Sequence, residues 1–173
     1  MTQTRLLHQW KNIQLVEEDL TLPNQKNITH TTIVHPGATV ILPITSQGEV
    51  VLLRQYRPSL RKWIYELPAG TIEHGEQPIE CAKRELIEES GYDAQQWFEL
   101  GQCTPLAGFC DEIQHLFVAK DLTHLGTLSL DEDELIEVIC EPVATIENWI
   151  RENIITDSKT IACLSKAKLC GFL

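Results

Sequence analysis

The chain is short of positive charge. Its 173 residues hold 14 Lys and Arg against 25 Asp and Glu, a formal net charge of −11 with histidines neutral. A nonspecific nucleic-acid binder needs a net basic face, so that class is excluded. A phosphate-bearing ligand is not, provided local cations reverse the field. Nor does the sequence contain an apolar run approaching the roughly 20 residues that cross a bilayer, and Met1 to Trp10 holds no apolar stretch of signal-peptide length. A cytoplasmic protein with no membrane partner is the expectation. Cys-x-x-Cys pairs are missing as well. The six cysteines (Cys81, Cys103, Cys110, Cys140, Cys163 and Cys170) are scattered, with no histidine at metal-site spacing. They read as reduced, small hydrophobic residues rather than a disulfide framework. Repeats and low-complexity tracts are absent. What remains is an ordinary globular composition, 43% apolar and 23% charged, in a length that fits one domain with or without a small extension.

Strand signals come first along the chain. Residues 12–20 and 28–34 carry alternating or β-branched stretches joined at Pro23-Asn24-Gln25, the pattern of a hairpin. Residues 1–35 are therefore a candidate N-terminal β-extension, although no flexible linker separates them from the domain expected over 36–173. Strands are expected at 38–44, 50–56, 63–67, 97–103, 113–119 and 135–140. Helices are expected at 77–90, 145–152 and 158–169, with Ile79, Ala82 and Leu86 on one stripe of the first. Gly91 ends that helix in the position that favours a left-handed residue.

The chemistry concentrates between residues 70 and 91. At about 100° per residue, Glu85, Glu88 and Glu89 share one side of the helix beside its apolar stripe. Carboxylates roughly 6 Å apart repel by about 3 kcal/mol per pair at an effective dielectric of about 20, and by under about 1 kcal/mol in bulk water. An Arg84–Glu88 pair at i,i+4 returns only about 0.5 kcal/mol. Acidic side chains at the C-terminal end of a helix also oppose its dipole. A hard divalent cation with oxygen ligands would resolve the conflict. A solvated acidic face is the plainer account of any Glu-Glu pair. Here Gly70 and Gly75 bracket a loop before the helix, and a strand ends at Pro68-Ala69-Gly70. Strand, glycine loop and carboxylate helix together point to a metal-phosphate site.

This stretch resembles the Nudix box of the Nudix hydrolases. Gly70, five residues, Glu76, seven residues, then Arg84-Glu85-Leu86-x-Glu88-Glu89-x-Gly91-Tyr92 follows that motif through all its defined positions. The resemblance implies an α+β fold, an α/β/α sandwich around a mixed β-sheet, here with a small N-terminal antiparallel sheet. It implies Mg2+ (or Mn2+) held by Glu85, Glu88 and Glu89 with the backbone carbonyl of Ala69. Glu76 and Arg84 would hold loop and helix in place, Arg84 as part of the catalytic machinery.

Outside the box, Arg54-Gln55-Tyr56-Arg57 and Glu66-Leu67-Pro68-Ala69-Gly70 resemble the ADP-ribose and ADP-sugar pyrophosphatases. Four of the 14 basic residues, Arg54, Arg57, Arg61 and Lys62, fall within nine positions. Guanidinium groups pair bidentately with phosphate, so the cluster suits a diphosphate clamp, with ordinary strand-edge charge as the alternative. The resemblance implies that the arginines of the Arg-Gln-Tyr-Arg motif, Arg54 and Arg57, bind substrate. The resemblance further implies a Pro-Gly-x-x-x-Glu loop downstream of the box, met here by Ala107-Gly108-Phe109-Cys110-Asp111-Glu112 with alanine in place of the proline, whose Glu112 would bind metal or help position the attacking water. It also implies a catalytic base from an acidic loop further on. Glu132 and Glu134 lie in the turn 130–134. Trp10, Trp63, Trp97 and Trp149 are available to stack on a base, although each suits ordinary packing better. A nucleotide-sugar substrate and a homodimer built through the N-terminal strands are the implied partners. Another nucleoside diphosphate derivative or triphosphate as substrate, or a silent nucleotide-sensing domain, are the alternatives.

Overall fold

The computed structural model describes residues 4–126, 128–130 and 134–173. Three strands open the chain: β1 (Thr4–Trp10), β2 (Ile13–Thr21) and β3 (Asn27–Val34), forming an antiparallel sheet in that order. The expected hairpin is β2–β3, closed where the Leu22 N–H donates to the Lys26 carbonyl at 2.9 Å. Strand β1 was not expected. All seven of its residues are exposed, so Thr-Arg-Leu-Leu-His-Gln-Trp carries no buried-exposed alternation to read.

Next come β4 (Ala38–Pro43), β5 (Glu49–Arg57), β6 (Lys62–Glu66), β7 (Ala69–Thr71), α1 (Pro78–Ser90), β8 (Tyr92–Cys103), β9 (Gln114–His124), β10 (Ile136–Pro142), α2 (Val143–Arg151) and α3 (Ser158–Leu169). One sheet runs β10-β5-β6 and the other β7-β4-β9-β8. The second is mixed, as expected: β4 lies parallel to β9 and antiparallel to β7. Where the sequence suggested that the chain leaves a strand after Pro68, it instead starts the three-residue strand β7, pairing Gly70 with Thr39.

Strand β4 is buried at all six positions. Its side chains alternate between two cores, as the two-residue period of a strand requires. Val40 and Leu42 join Leu116, Val118, Ile146, Cys163 and Leu164 on the side covered by α2 and α3. Ile41 joins Phe117, Ala119, Ala82 and Leu86 on the side covered by α1. The layers are those of an α/β/α sandwich. Helix α1 begins with Pro78 at its first position, where the missing N–H is not needed. It ends at Gly91 with φ +70°, whose N–H donates to the Ile87 carbonyl at 2.9 Å. Among the described residues no helix is long and apolar enough to cross a membrane.

Candidate functional site

A cleft of about 420 Å³ opens between the N-terminal sheet and α1. Glu85, Glu88 and Glu89 line it together with Ala69, Gly70, Arg57, Arg84 and Glu134. The β1–β2 turn closes the other side with Trp10, Lys11, Asn12 and Ile13. Five of the residues singled out as metal-binding or base candidates (Ala69, Glu85, Glu88, Glu89 and Glu134) therefore meet in one place.

The three helix carboxylates are not equivalent. Glu89 is buried, 3% exposed, and accepts a hydrogen bond from the Ala69 N–H at 2.8 Å. Burial pushes its carboxyl up to about 8; the Ala69 hydrogen bond opposes that shift, while the neighbouring charges of Glu85 and Glu134 add to it. Burial also raises Glu85, against the pull of Arg84. Arg84 donates to Glu85 at 2.6 Å, to Glu88 at 3.1 Å and to Glu76 at 2.9 and 3.1 Å. The hydrogen bond from Arg84 holds the Glu76 carboxyl below the usual range, and Glu76 in turn accepts from the Glu73 N–H at 2.9 Å. Arg84 thus ties the glycine loop to the helix and shares its charge among three carboxylates.

The residues present fit a hard divalent cation. The donors are carboxylate oxygens, and Gly70 leaves them room: a Cβ there would stand 1.9 Å from Oε1 of Glu85. Among the described residues no three acidic, histidine or cysteine groups already converge as a finished ion shell. Arg84 gathers two of them, and Ala69 meets Glu89 through its N–H rather than its carbonyl.

The two arginines of the Arg-Gln-Tyr-Arg segment part company. Three residues apart on a strand, they face opposite ways. Arg57 lines the cleft and is gripped by Glu66 through Nε at 2.6 Å and Nη2 at 2.8 Å. Arg54 instead stacks over Trp63 at 4.6 Å and pairs with Glu137 at 2.7 Å, away from the residues that line the cleft. Glu112 accepts from the Gln114 amide at 2.9 Å and is likewise outside that lining. Glu132 lies outside the described residues. The Ser129 N–H donates to the Glu88 carbonyl at 3.0 Å.

Of the four tryptophans, Trp10 lines the cleft, 60% exposed. Trp63 packs on Tyr56, Trp149 on Tyr65, and Trp97 on Phe117. Lys11 beside Trp10 is a cationic wall residue that the sequence reading missed. It sits in a two-residue turn with φ +49°, and its only sequence signal was proximity to a tryptophan.

Comparison with known proteins defines the class. The NUDIX domain family model matches residues 34–158, and the chain belongs to that family. Among individual proteins, it is 36% identical over 160 residues to the ADP-ribose pyrophosphatase of Bacillus subtilis (strain 168), covering 92% of this chain and 86% of that protein. It is 39% identical over 158 residues to the methanol dehydrogenase activator of Bacillus methanolicus, covering 91% and 85%. A GDP-mannose pyrophosphatase of Salmonella arizonae (strain ATCC BAA-731 / CDC346-86 / RSK2980) is 32% identical, over 85% of this chain and 82% of its own length. The fold matches that of a crystal structure of an ADP compounds hydrolase with a TM-score of 0.82 at 21% identity, covering 99% of this chain and 95% of that one.

Proposed function

We propose that the protein hydrolyses the diphosphate of a nucleoside diphosphate sugar, with ADP-ribose as the preferred substrate and AMP and ribose 5-phosphate as products. The observation that carries this reading is the shared cleft: three helix carboxylates on one wall, with the arginine Arg57 and the glycine-shaped loop beside them. Glu85, Glu88 and Glu89, with the backbone of Ala69, would hold Mg2+ or Mn2+. When bound, the metal neutralises the diphosphate and lowers the pKa of an attacking water.

The protein's own groups do the rest. Arg57 binds the diphosphate through the N–H groups that Glu66 leaves over, which orients the phosphorus for in-line attack. Glu134, at the cleft wall, takes the proton of the attacking water. Glu132 is the other base candidate from the acidic loop, and Glu112, set back from the wall, is the candidate for a further metal contact or for positioning the water. Arg84 keeps the loop and the helix in register. Arg54 belongs to a separate surface, and contact with substrate from there requires a second subunit. The exposed apolar side chains of β1 support a homodimer assembled through residues 1–35, with 36–173 as the hydrolase domain.

The 39% identical relative is named for activating another enzyme. Hydrolysis is preferred here because all three box carboxylates are present and face one cleft, which a nucleotide-sensing domain does not need. The test is a panel of ADP-ribose, other ADP-sugars, GDP-mannose and nucleoside triphosphates with each metal, with products identified. AMP from ADP-ribose at the highest kcat/KM is the expected result. Preferred turnover of GDP-mannose, or pyrophosphate release from a triphosphate, overturns the substrate. Nucleotide binding with no metal-dependent turnover overturns the enzyme.

A further inference from the structure

A second charged cluster lies behind the cleft wall. Glu66 ends β6 and is 1% exposed. Its two oxygens accept from Nε and Nη2 of Arg57 at 2.6 and 2.8 Å. Lys159, in the first turn of α3, pairs with the same carboxylate and also with Asp157 at 3.1 Å. Asp157 caps α3, accepting from the Thr160 N–H at 3.0 Å and its hydroxyl at 2.7 Å. The Thr160 Oγ1 in turn accepts from the Leu67 N–H at 2.8 Å. The capped end of α3 therefore grips residues 66 and 67 together, two residues before the Ala69 N–H that meets Glu89.

Such a cluster is a poor device for stability alone. Buried ion pairs gain little over well-packed apolar groups, and their best-supported use is to fix one geometry. The geometry fixed here is that of Arg57. A guanidinium has five N–H donors in a rigid fork, and Glu66 takes one edge of it. The opposite edge belongs to a residue that lines the cleft.

We propose that Glu66 is the positioning residue for Arg57: held by Lys159 and the capped turn of α3, it aims the free edge of the guanidinium at the diphosphate. Substrate affinity then depends on a carboxylate that never touches substrate. The inference rests on the nucleoside diphosphate reading of the cleft. It extends the binding machinery to α3, some 100 residues along the chain from Arg57.

A double-mutant cycle on the full-length protein tests it, with kcat and KM measured for Glu66→Gln, Arg57→Ala and the pair. Loss of an aimed, charge-assisted hydrogen bond raises KM roughly tenfold. The effect should vanish in the Arg57→Ala background. Unchanged KM in Glu66→Gln, or a full KM rise that persists without Arg57, overturns the positioning role and leaves the proposed activity standing. A wild-type protein with no turnover on any nucleoside diphosphate sugar overturns the activity, and this role with it. Should Glu66→Gln fail to fold, Lys159→Met carries the test. The same KM rise, restored by Lys159→Arg, supports the role, and an unchanged KM in Lys159→Met overturns it.

Discussion

Replacing Gly70 by alanine separates the cost to the fold from the cost to the site. The Gly70 φ lies outside the left-handed region, so alanine meets no backbone strain. The obstacle is steric. The new Cβ would stand 1.9 Å from both Cδ and Oε1 of Glu85 and 2.5 Å from Cγ. An ordinary contact of about 3.5 Å requires the carboxyl to retreat by about 1.6 Å. Because the clash is with the end of a flexible side chain, rotation of Glu85 relieves it. The fold then loses about 1 kcal/mol, mostly the 2.6 Å bond from Arg84. Activity has no such escape. Metal–oxygen bonds are fixed to within tenths of an ångström, and a misplacement of about 1 Å costs on the order of 100-fold in rate. The expected result is a melting temperature within a few degrees of wild type in chelator, with kcat/KM down at least about 100-fold and a weakened response to added Mg2+. Calorimetry and a coupled AMP assay measure the two. Wild-type turnover in a folded Gly70→Ala protein would refute the argument that Glu85 works from beneath Gly70.

Glu85→Gln removes a charged donor without changing shape, so it should leave the melting temperature near wild type and abolish most turnover; full activity would remove Glu85 from the metal site. Leu86→Ala acts on the fold instead. That side chain is fully buried against Ile41 and Phe117, and its loss should cost about 2–5 kcal/mol in urea unfolding; a change below 1 would mean that α1 packs loosely. At Glu66, burial alone would raise the carboxyl, but Arg57 and Lys159 outweigh it and the net shift is downward. A depressed value in the folded state contributes stability above the ordinary carboxylate pKa and loses it as pH falls through the folded value. The stability gap between wild type and Glu66→Gln should therefore narrow from about pH 6 to about pH 3; urea titrations at both ends check this, and a widening gap contradicts it. Finally, Leu6 and Leu7, 55% and 43% exposed, should be covered in the proposed dimer. Leu6→Glu with Leu7→Glu should halve the mass seen by light scattering, and an unchanged mass places the interface elsewhere.

What the sequence disclosed divides along physical lines. Helix α1 was legible because two local signals agree: an apolar stripe and a left-handed glycine at the end. The carboxylates came with it, since their common side follows from helix geometry. Strand β7 was not legible, because three residues show no periodicity. The separation of Arg54 from Arg57 was in principle readable, since positions an odd number apart on one strand face opposite ways. Grouping them by their shared Arg-Gln-Tyr-Arg motif hid that parity. Lys11 and the burial of Glu66 needed the tertiary fold. Lys11 reaches the cleft on a turn some 60 residues before Gly70, and Glu66 finds Lys159 from the far end of the chain. Neither contact leaves a local trace.

Strand β4 has a consequence for how such a protein changes over generations. With side chains sunk into separate cores on its two faces, it has no outward-facing position where a polar replacement could turn to water. Helix α1 rests on that strand, so the carboxylate wall stands on the segment least free to drift. The opposite wall of the cleft is the β1–β2 turn, borne on a strand with no buried residue at all. Trp10, Lys11 and Asn12 can be exchanged at little cost to folding. One wall of the cleft is thus tied to the core through β4, while the other is borne by a strand that adds nothing to the core.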